Sequence, residues 1–482
     1  MMKLRFAFLL MFSALTGTLI SHPEARGDIL SAVPPDEFRI IGDLTNQLSQ
    51  AAIDDAKQSL VQGDFRGARE KLQKINETHK DLPLPELIIS SWLFELNFPV
   101  MGTQIAQQLG FTHGKRQDVQ IHLAQIAMTQ ARFYEASLLI EAALQSPPEP
   151  EWSEAFRATM LMQIHETQGA IEERRNRMAE AKEIYTKLLE ENPHSVKALL
   201  GLARSNFALG ELAESESHFR KLEELVPAQA PITEVAISSL FLARNDAANG
   251  ETWLKKGLER TGNPNSIARL EYARFLLKAN RPEEARKVLI EARASEALKP
   301  ELAFHIALAE QMAGRFDKSL PILLGIRKTS PNNFAVSNHL AWALLQSPDS
   351  KVVSQGARLA QQNMQNNPTS IEAIATNAWG YFKRGDLKSA DTIVSRPLPS
   401  RNFSRDAAFF FAEILEANGK TEEATSIRER VLTASGDFYH ARIAAADKSS
   451  QPGENGSLPA DPPSDIPSGD AADEATDAPT KP

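Results

Sequence analysis

The chain has 482 residues, a formal net charge of −9 at neutral pH and no cysteine. The absence of cysteine excludes disulfides, thiolate catalysis, iron–sulfur clusters and zinc sites with cysteine ligands. Because the chain is mildly acidic and carries no concentrated basic stretch, we expect no nucleic-acid partner.

The N-terminus has the pattern of a secretory signal peptide. A basic start, MMKLR, precedes an apolar run of 15 residues, FAFLLMFSALTGTLI, and the sequence ARG then supplies a small-x-small cleavage site. This run is shorter than the ~18–20 residues that a membrane span needs. We therefore predict a signal peptide over 1–27, an exported (periplasmic or secreted) protein with no transmembrane segment after signal removal, and an N-terminal cap segment over 28–47. An uncleaved N-terminal anchor is the alternative.

A small residue then recurs along the chain, mostly at intervals of 33 to 38 residues, with one interval of 45. A fixed period of this size is typical of a solenoid built from repeated units. The members of this column are Ala68, Gly102, Ala136, Ala181, Ser215, Gly250, Ala285, Ser319, Ala357, Ala390 and Ala424.

A second column of small residues lies twelve positions before the first in most units. Small residues on both sides of a turn let two helices cross closely, and turn sequences such as LGEL and AGRF separate the two columns. Each unit is therefore predicted to be a helix, a tight turn and a second helix. The second column comprises Ala56, Ser90, Ala124, Ala203, Ser238, Ala273, Ala307, Ala378 and Ala412.

Two units have longer intervals, and we assign their second-column positions to Ala158 and Ala341. The 45-residue interval leaves eleven extra residues between Ala158 and Ala181. We expect a longer hairpin there, with Gly169 at its turn and the charged stretch IEERRNR starting a projecting second helix.

This pattern resembles the tetratricopeptide repeat, which has small residues on both helices, a large residue four positions after the second of them and a closing proline. Residues 198–227, ALLGLARSNFALGELAESESHFRKLEELVP, match it closely. The resemblance implies an all-α, right-handed superhelical solenoid of about eleven helix-turn-helix units over 48–436.

The C-terminal end changes character in two steps. Residues 437–446, which include FYHARIAAA, are predicted to form a capping helix over the last repeat, because a solenoid needs its final apolar face covered. Residues 447–482 contain seven prolines and eight acidic residues but no aromatic residue. This composition predicts a disordered, acidic, proline-rich tail.

No catalytic, cofactor-binding or metal-binding motif is present in the sequence. There is no Gly-rich phosphate loop, no GxSxG and no HExxH, and the ten histidines are scattered. His165 and Glu166 are adjacent but have no second histidine nearby, so a helix-surface histidine is the simpler interpretation. We predict no catalysis and no cofactor.

A partner surface is better motivated, because solenoids present a long concave face to other proteins. The resemblance places one side of each first helix on that face, and in the C-terminal units these positions are aromatic and polar. Such a groove could hold a protein or peptide partner; the alternative is that the tryptophans pack between repeats. The predicted partner-binding residues are Phe304, Asn338, His339, Trp342, Trp379, Phe382 and Phe409.

Two functions remain open at this stage. The first is a non-catalytic scaffold or adaptor in the cell envelope that holds its partner in the concave groove. The second is an envelope enzyme, acting for example on carbohydrate, with a site made of acids and aromatic residues in the groove. A pair of buried acids with perturbed pKa values would favour the enzyme.

Overall fold

The structure is a computed structural model that describes residues 50–227, 230–261, 266–291, 299–396, 404–433 and 437–444. Within these residues the chain forms helices and no β-strand. The predicted signal peptide (1–27), the N-terminal cap segment (28–47) and the acidic tail (447–482) lie outside the described residues.

The described helices form eleven successive pairs, which confirms the all-α solenoid. The first helices of the pairs are α1 Gln50–Val61, α3 Pro85–Glu95, α5 Gln117–Thr129, α7 Glu154–Arg174, α9 Val196–Leu209, α11 Thr233–Ala243, α13 Ser266–Lys278, α15 Lys299–Met312, α17 Phe334–Leu345, α19 Ile371–Lys383 and α21 Arg405–Ala417. The second helices are α2 Phe65–Thr78, α4 Pro99–His113, α6 Phe133–Gln145, α8 Met178–Glu191, α10 Leu212–Leu225, α12 Ala247–Thr261, α14 Pro282–Glu291, α16 Phe316–Thr329, α18 Ser350–Asn366, α20 Leu387–Val394 and α22 Thr421–Thr433.

The first column of small residues marks the second helix of every pair. All eleven members lie on even-numbered helices and are buried. At Gly102 a Cβ atom would come within 2.7 Å of the Phe94 ring, and at Gly250 it would come within 2.6 Å of Leu242. The column is small because the two helices of a pair cross too closely there for a larger side chain.

The turns inside the pairs share one backbone feature. In ten of the eleven described pairs, the residue five positions before the first-column residue has a positive φ. This residue is a glycine, an asparagine or, in one pair, Ala131. A left-handed residue after a helix ends it and redirects the chain, and glycine and asparagine adopt that conformation at the lowest cost. The exception is the α17–α18 pair, whose interval is also longer.

The predicted hairpin of the fourth unit is wrong. α7 continues through Gly169 to Arg174, and the turn lies at Asn176, whose φ is 60°. Gly169 is the second-column residue: it lies twelve positions before Ala181, and a Cβ atom there would come within 2.6 Å of a buried tyrosine ring. Ala158 is exposed. The extra residues therefore lengthen the first helix at its N-terminal end.

The packing between pairs defines an inner and an outer side. From α13 to α21 each first helix packs on the next first helix, most closely α17 on α19 and α19 on α21. Among the described helices, no two successive second helices pack as closely. The stack therefore bends around its first helices, and we call the surface of the odd-numbered helices the inner face.

Candidate partner-binding surface

The seven predicted partner-binding residues all lie on first helices of the C-terminal units. Phe304 is on α15; Asn338, His339 and Trp342 are on α17; Trp379 and Phe382 are on α19; and Phe409 is on α21. Phe304 and Phe382 are half-buried, and the other five residues are buried. In this state the tryptophans pack between repeats, and a role of the seven residues in partner binding stays a prediction.

The two tryptophans are equivalent in sequence but have different polar contacts. Trp342 Nε1 donates a hydrogen bond of 2.8 Å to Thr376 Oγ1 on the next first helix. The Trp379 ring is stacked 4.8 Å from Phe382 and 4.7 Å from Phe410, and its Nε1 is buried without a hydrogen-bond partner. This nitrogen is therefore an unused hydrogen-bond donor. A buried polar atom without a partner lowers stability by about 1–3 kcal/mol.

His339 extends this aromatic cluster and is neutral. Burial and, to a smaller extent, the nearby His440 and His305 lower its pKa to about 3. Its Nδ1 lies 2.7 Å from Gln311 Oε1, and Gln311 Nε2 donates a hydrogen bond of 2.9 Å to the His339 carbonyl oxygen. Since a neutral imidazole with its proton on Nδ1 satisfies this pair, the inner face here is aromatic and uncharged.

Residues 437–444, which we call the C-terminal segment, pack against this surface, and 441–444 form a short helical turn. The Tyr439 ring is 4.7 Å from His339 and 5.9 Å from Trp342. The sequence predicts that this segment covers the last repeat; in the structure its contacts extend to α17, two units earlier.

His440 is the most deeply buried residue of the C-terminal segment. Its ring is fully buried and lies 5.2 Å from Trp342, 4.7 Å from Phe410 and 5.0 Å from Phe316. The Phe438 ring is 5.9 Å from that of Phe409. One short stretch of chain therefore contacts α16, α17 and α21 through aromatic rings, which supply much apolar contact area.

A single buried carboxylate, Asp406, anchors the C-terminal segment. It accepts hydrogen bonds from the backbone nitrogens of Tyr439, at 3.2 Å, and His440, at 2.9 Å, and lies 2.6 Å from His440 Nδ1. Asp406 is in the first turn of α21, where the helix dipole favours negative charge. The sequence pattern does not predict Asp406, Tyr439 and His440 as site residues, because nothing periodic in the sequence connects α21 with a segment 33 residues further on.

The described cavities are small or shallow. One of about 160 Å³ lies between α6 and the end of α7, next to Glu172 and Arg175. Another, of about 460 Å³ and mainly apolar, lies beside Pro300 and Pro321. In the part of the chain that the structure describes, no group of three or more histidine and acidic side chains is arranged to hold a metal ion.

Acidic groups with strongly shifted pKa values belong to ion pairs. Hydrogen bonding from Arg281 lowers the pKa of Glu251 to about 2. This carboxylate stays ionised and joins α12 to the turn before α14. Its shift is opposite in direction to that of a general acid, which must keep its proton near neutral pH.

Family profiles of the tetratricopeptide repeat match the chain at residues 174–232 and 270–334. The first match covers α8 to α10 and the second covers most of α13 to α16. The chain contains tetratricopeptide repeats. The presence of these repeats supports a role as a protein-interaction scaffold. Across the described residues, no helix is long and apolar enough to cross a membrane.

Several solved tetratricopeptide-repeat structures are similar to this protein. Yeast Tom70 is 12% identical, with 84% of this chain and 96% of that chain covered, at a TM-score of 0.33. PilF of Pseudomonas aeruginosa is 15% identical, with 44% and 96% covered, at 0.31. YrrB, described as having an unusual peptide-binding site, is 16% identical, with 39% and 95% covered, at 0.29. No curated protein matches the chain significantly.

Proposed function

We propose that this tetratricopeptide-repeat protein is a non-catalytic scaffold of the cell envelope that holds a protein or peptide partner on the inner face of its C-terminal units. One observation carries the proposal: α17 and α21 hold a short stretch of polypeptide by aromatic packing and by a carboxylate that accepts two backbone N–H groups. Main-chain hydrogen bonds combined with aromatic pockets are a common means of peptide recognition.

The half-buried members of the predicted site are the residues best placed to meet a partner. Phe304 packs edge-on against His339, with 5.5 Å between ring centroids, and keeps part of its surface open. Phe382 stacks on Trp379 and is also half-buried. Buried aromatic anchors dominate many protein interfaces, and a partner that covers these two rings would gain such anchors.

Site-specific photo-crosslinking in the native envelope tests the proposal. The photoreactive residue p-benzoylphenylalanine replaces Phe304 in one variant and Phe111 in a matched variant. Phe111 is 92% exposed and lies on α4, a second helix of an N-terminal unit. We expect a crosslinked partner from position 304 and none from position 111. The absence of an adduct at position 304, or the same adduct at both positions, would contradict the proposal.

A further inference from the structure

The C-terminal segment is held in the way that a separate peptide ligand would be held. Its rings contact residues far away in the sequence: Tyr439 contacts His339, and His440 contacts Phe316. The side chain of Arg442 lies against Gly314, in the turn between α15 and α16. The segment therefore passes from α21 to the α15–α16 turn and covers the inner face between them.

The polar contacts of the segment depend mainly on its backbone. Asp406 accepts the N–H groups of two consecutive residues, which any peptide with this turn could donate, and its third contact is with an imidazole nitrogen. Arg405 lies over the Phe438 ring at 4.9 Å, which adds a cation–π contact. The surface therefore selects a ligand that forms a short turn, carries aromatic side chains and donates a hydrogen bond from a ring nitrogen.

The fit of the segment leaves hydrogen-bonding groups unused. His440 Nε2 is buried without a partner, and so are Asn338 Oδ1 and Trp379 Nε1 on the neighbouring first helices. Each such group weakens the closed arrangement, because it has lost water without gaining another partner. A ligand that supplied partners for Asn338 Oδ1 and Trp379 Nε1 would bind the same surface more tightly than the segment does.

We infer that the C-terminal segment is an intramolecular competitor, which occupies the partner surface of α15, α17 and α21 and is displaced by a partner peptide of the same chemistry. That peptide presents two consecutive backbone N–H groups and a ring N–H to Asp406, and aromatic rings to Trp342 and Phe409. The existence of an external partner rests on the proposed function, but the competition itself can be measured without one.

Competition of this kind lowers the apparent affinity of the surface. Only three residues, 434–436, separate α22 from the segment. A short tether holds a ligand at an effective concentration in the millimolar range. The apparent dissociation constant of an external peptide is the intrinsic constant divided by the open fraction of the protein, so opening a segment that is mostly closed should strengthen external binding at least tenfold.

A fluorescence-anisotropy titration tests this inference. The probe is a labelled synthetic peptide of residues 435–446, and the proteins are the full chain and the full chain with Tyr439→Ala and His440→Ala. We expect the double variant to bind the peptide at least tenfold more tightly than the wild type. When Asp406→Asn is added to the double variant, the gain in affinity should be lost. When Phe111→Ala is added instead, the gain should remain. Equal affinity of the wild type and the double variant overturns the inference.

A second measurement uses the unaltered full chain, in case the double variant does not fold. An excess of unlabelled peptide is added, and hydrogen exchange at the backbone amides of Tyr439 and His440 is followed by mass spectrometry. Displacement should speed exchange of these amides at least tenfold, and a scrambled peptide should have no effect. Unchanged exchange overturns the inference, and so does a dimer in light scattering with the segment exchanged between two copies.

The two proposals fail in different ways. If the peptide displaces the segment but no crosslinked partner is found at position 304, the scaffold proposal fails and the competition remains. If a partner is crosslinked there while the segment stays protected in its presence, the scaffold proposal remains and the competition fails.

Discussion

Ser238 Oγ donates a hydrogen bond of 2.8 Å to the carbonyl oxygen of Gly250, twelve residues further along the chain and on the other helix of the same pair. Ser90 makes the equivalent bond to Gly102, at 2.8 Å, and Ser215 donates to the carbonyl of Ala203, at 2.7 Å. At these three positions of the small columns, serine therefore joins the two helices of its pair across their crossing point.

Ser238→Ala should lower the free energy of unfolding by about 1 kcal/mol, because it removes one buried hydrogen bond and leaves the volume nearly unchanged. The matched control is Ser239→Ala on the same helix. Ser239 Oγ donates only to the Val235 carbonyl of its own turn, so its loss should change stability by less than about 0.5 kcal/mol. Urea denaturation measures both. An equal effect of the two substitutions would contradict the role of the column.

Ala131→Gly should stabilise the protein by about 0.5–1 kcal/mol. Ala131 has a φ of 56° at the turn where most other pairs have glycine or asparagine, and a left-handed alanine is strained by ~1–2 kcal/mol. Part of the gain is offset by the greater entropy of glycine in the unfolded chain. The reverse change, Gly210→Ala, should destabilise, since Gly210 has a φ of 85°. The account of the turns fails if Ala131→Gly lowers the melting temperature.

The small columns were predictable because they follow from a local requirement. A close helix crossing excludes large side chains in every unit, so the sequence carries the signal eleven times. The Ala158 prediction was wrong because it assumed a constant period across the 45-residue interval, whereas the column follows the hairpin and falls on Gly169. The contact between Asp406 and His440 occurs once, between a helix start and a distant segment, and leaves no repeating pattern in the sequence.

Stability should fall on mild acidification because two buried histidines resist protonation. Burial lowers the pKa of His122 to about 4 and that of His339 to about 3, from an unfolded value of 6.5. Below pH 6.5 these two histidines bind protons in the unfolded chain but stay neutral in the native protein. For His122, the free energy of unfolding therefore falls by up to about 3 kcal/mol as the pH falls from about 6.5 towards 4. For His339, the loss continues as the pH falls towards 3. Above pH 6.5 this loss is absent.

Denaturant unfolding at pH 5 and pH 7.5 measures the contribution of His122. In His122→Gln, the difference in stability between the two pH values should shrink by about 2 kcal/mol. Because His113 is exposed on α4, His113→Gln is the control and should leave the difference unchanged. A wild-type protein equally stable at both pH values would contradict the assignment of neutral buried histidines.

Glu234 should be a strong determinant of stability among the N-terminal and central units. Its side chain is buried at the start of α11 and pairs with Arg260 on α12, at 2.7 Å, and with Arg220 on α10. Burial alone would raise its pKa, but hydrogen bonds from Arg260 and Arg220 outweigh this effect and lower it. The carboxylate therefore stays charged and joins three helices.

Glu234→Ala should lower the free energy of unfolding by about 2 kcal/mol, because it removes the more buried of the two carboxylates that Arg220 and Arg260 share, the other being Glu223. The partial exposure of the two arginines to water keeps the loss below that of a fully buried pair. Glu183→Ala is the control: it breaks an exposed pair with Lys187 on the surface of α8 and should cost less than about 0.5 kcal/mol. Equal melting temperatures for the two variants would contradict this account.

The central claim, that the inner face of the C-terminal units binds the partner, is tested most directly by affinity. Isothermal titration calorimetry of the partner crosslinked at position 304 compares the wild type with Phe304→Ala and Phe111→Ala, and thermal melts of all three proteins check their folding. Loss of an aromatic anchor costs about 2 kcal/mol, so Phe304→Ala should weaken binding about thirtyfold while remaining folded. Phe111→Ala should bind as the wild type does. A folded Phe304→Ala variant with wild-type affinity would contradict the claim.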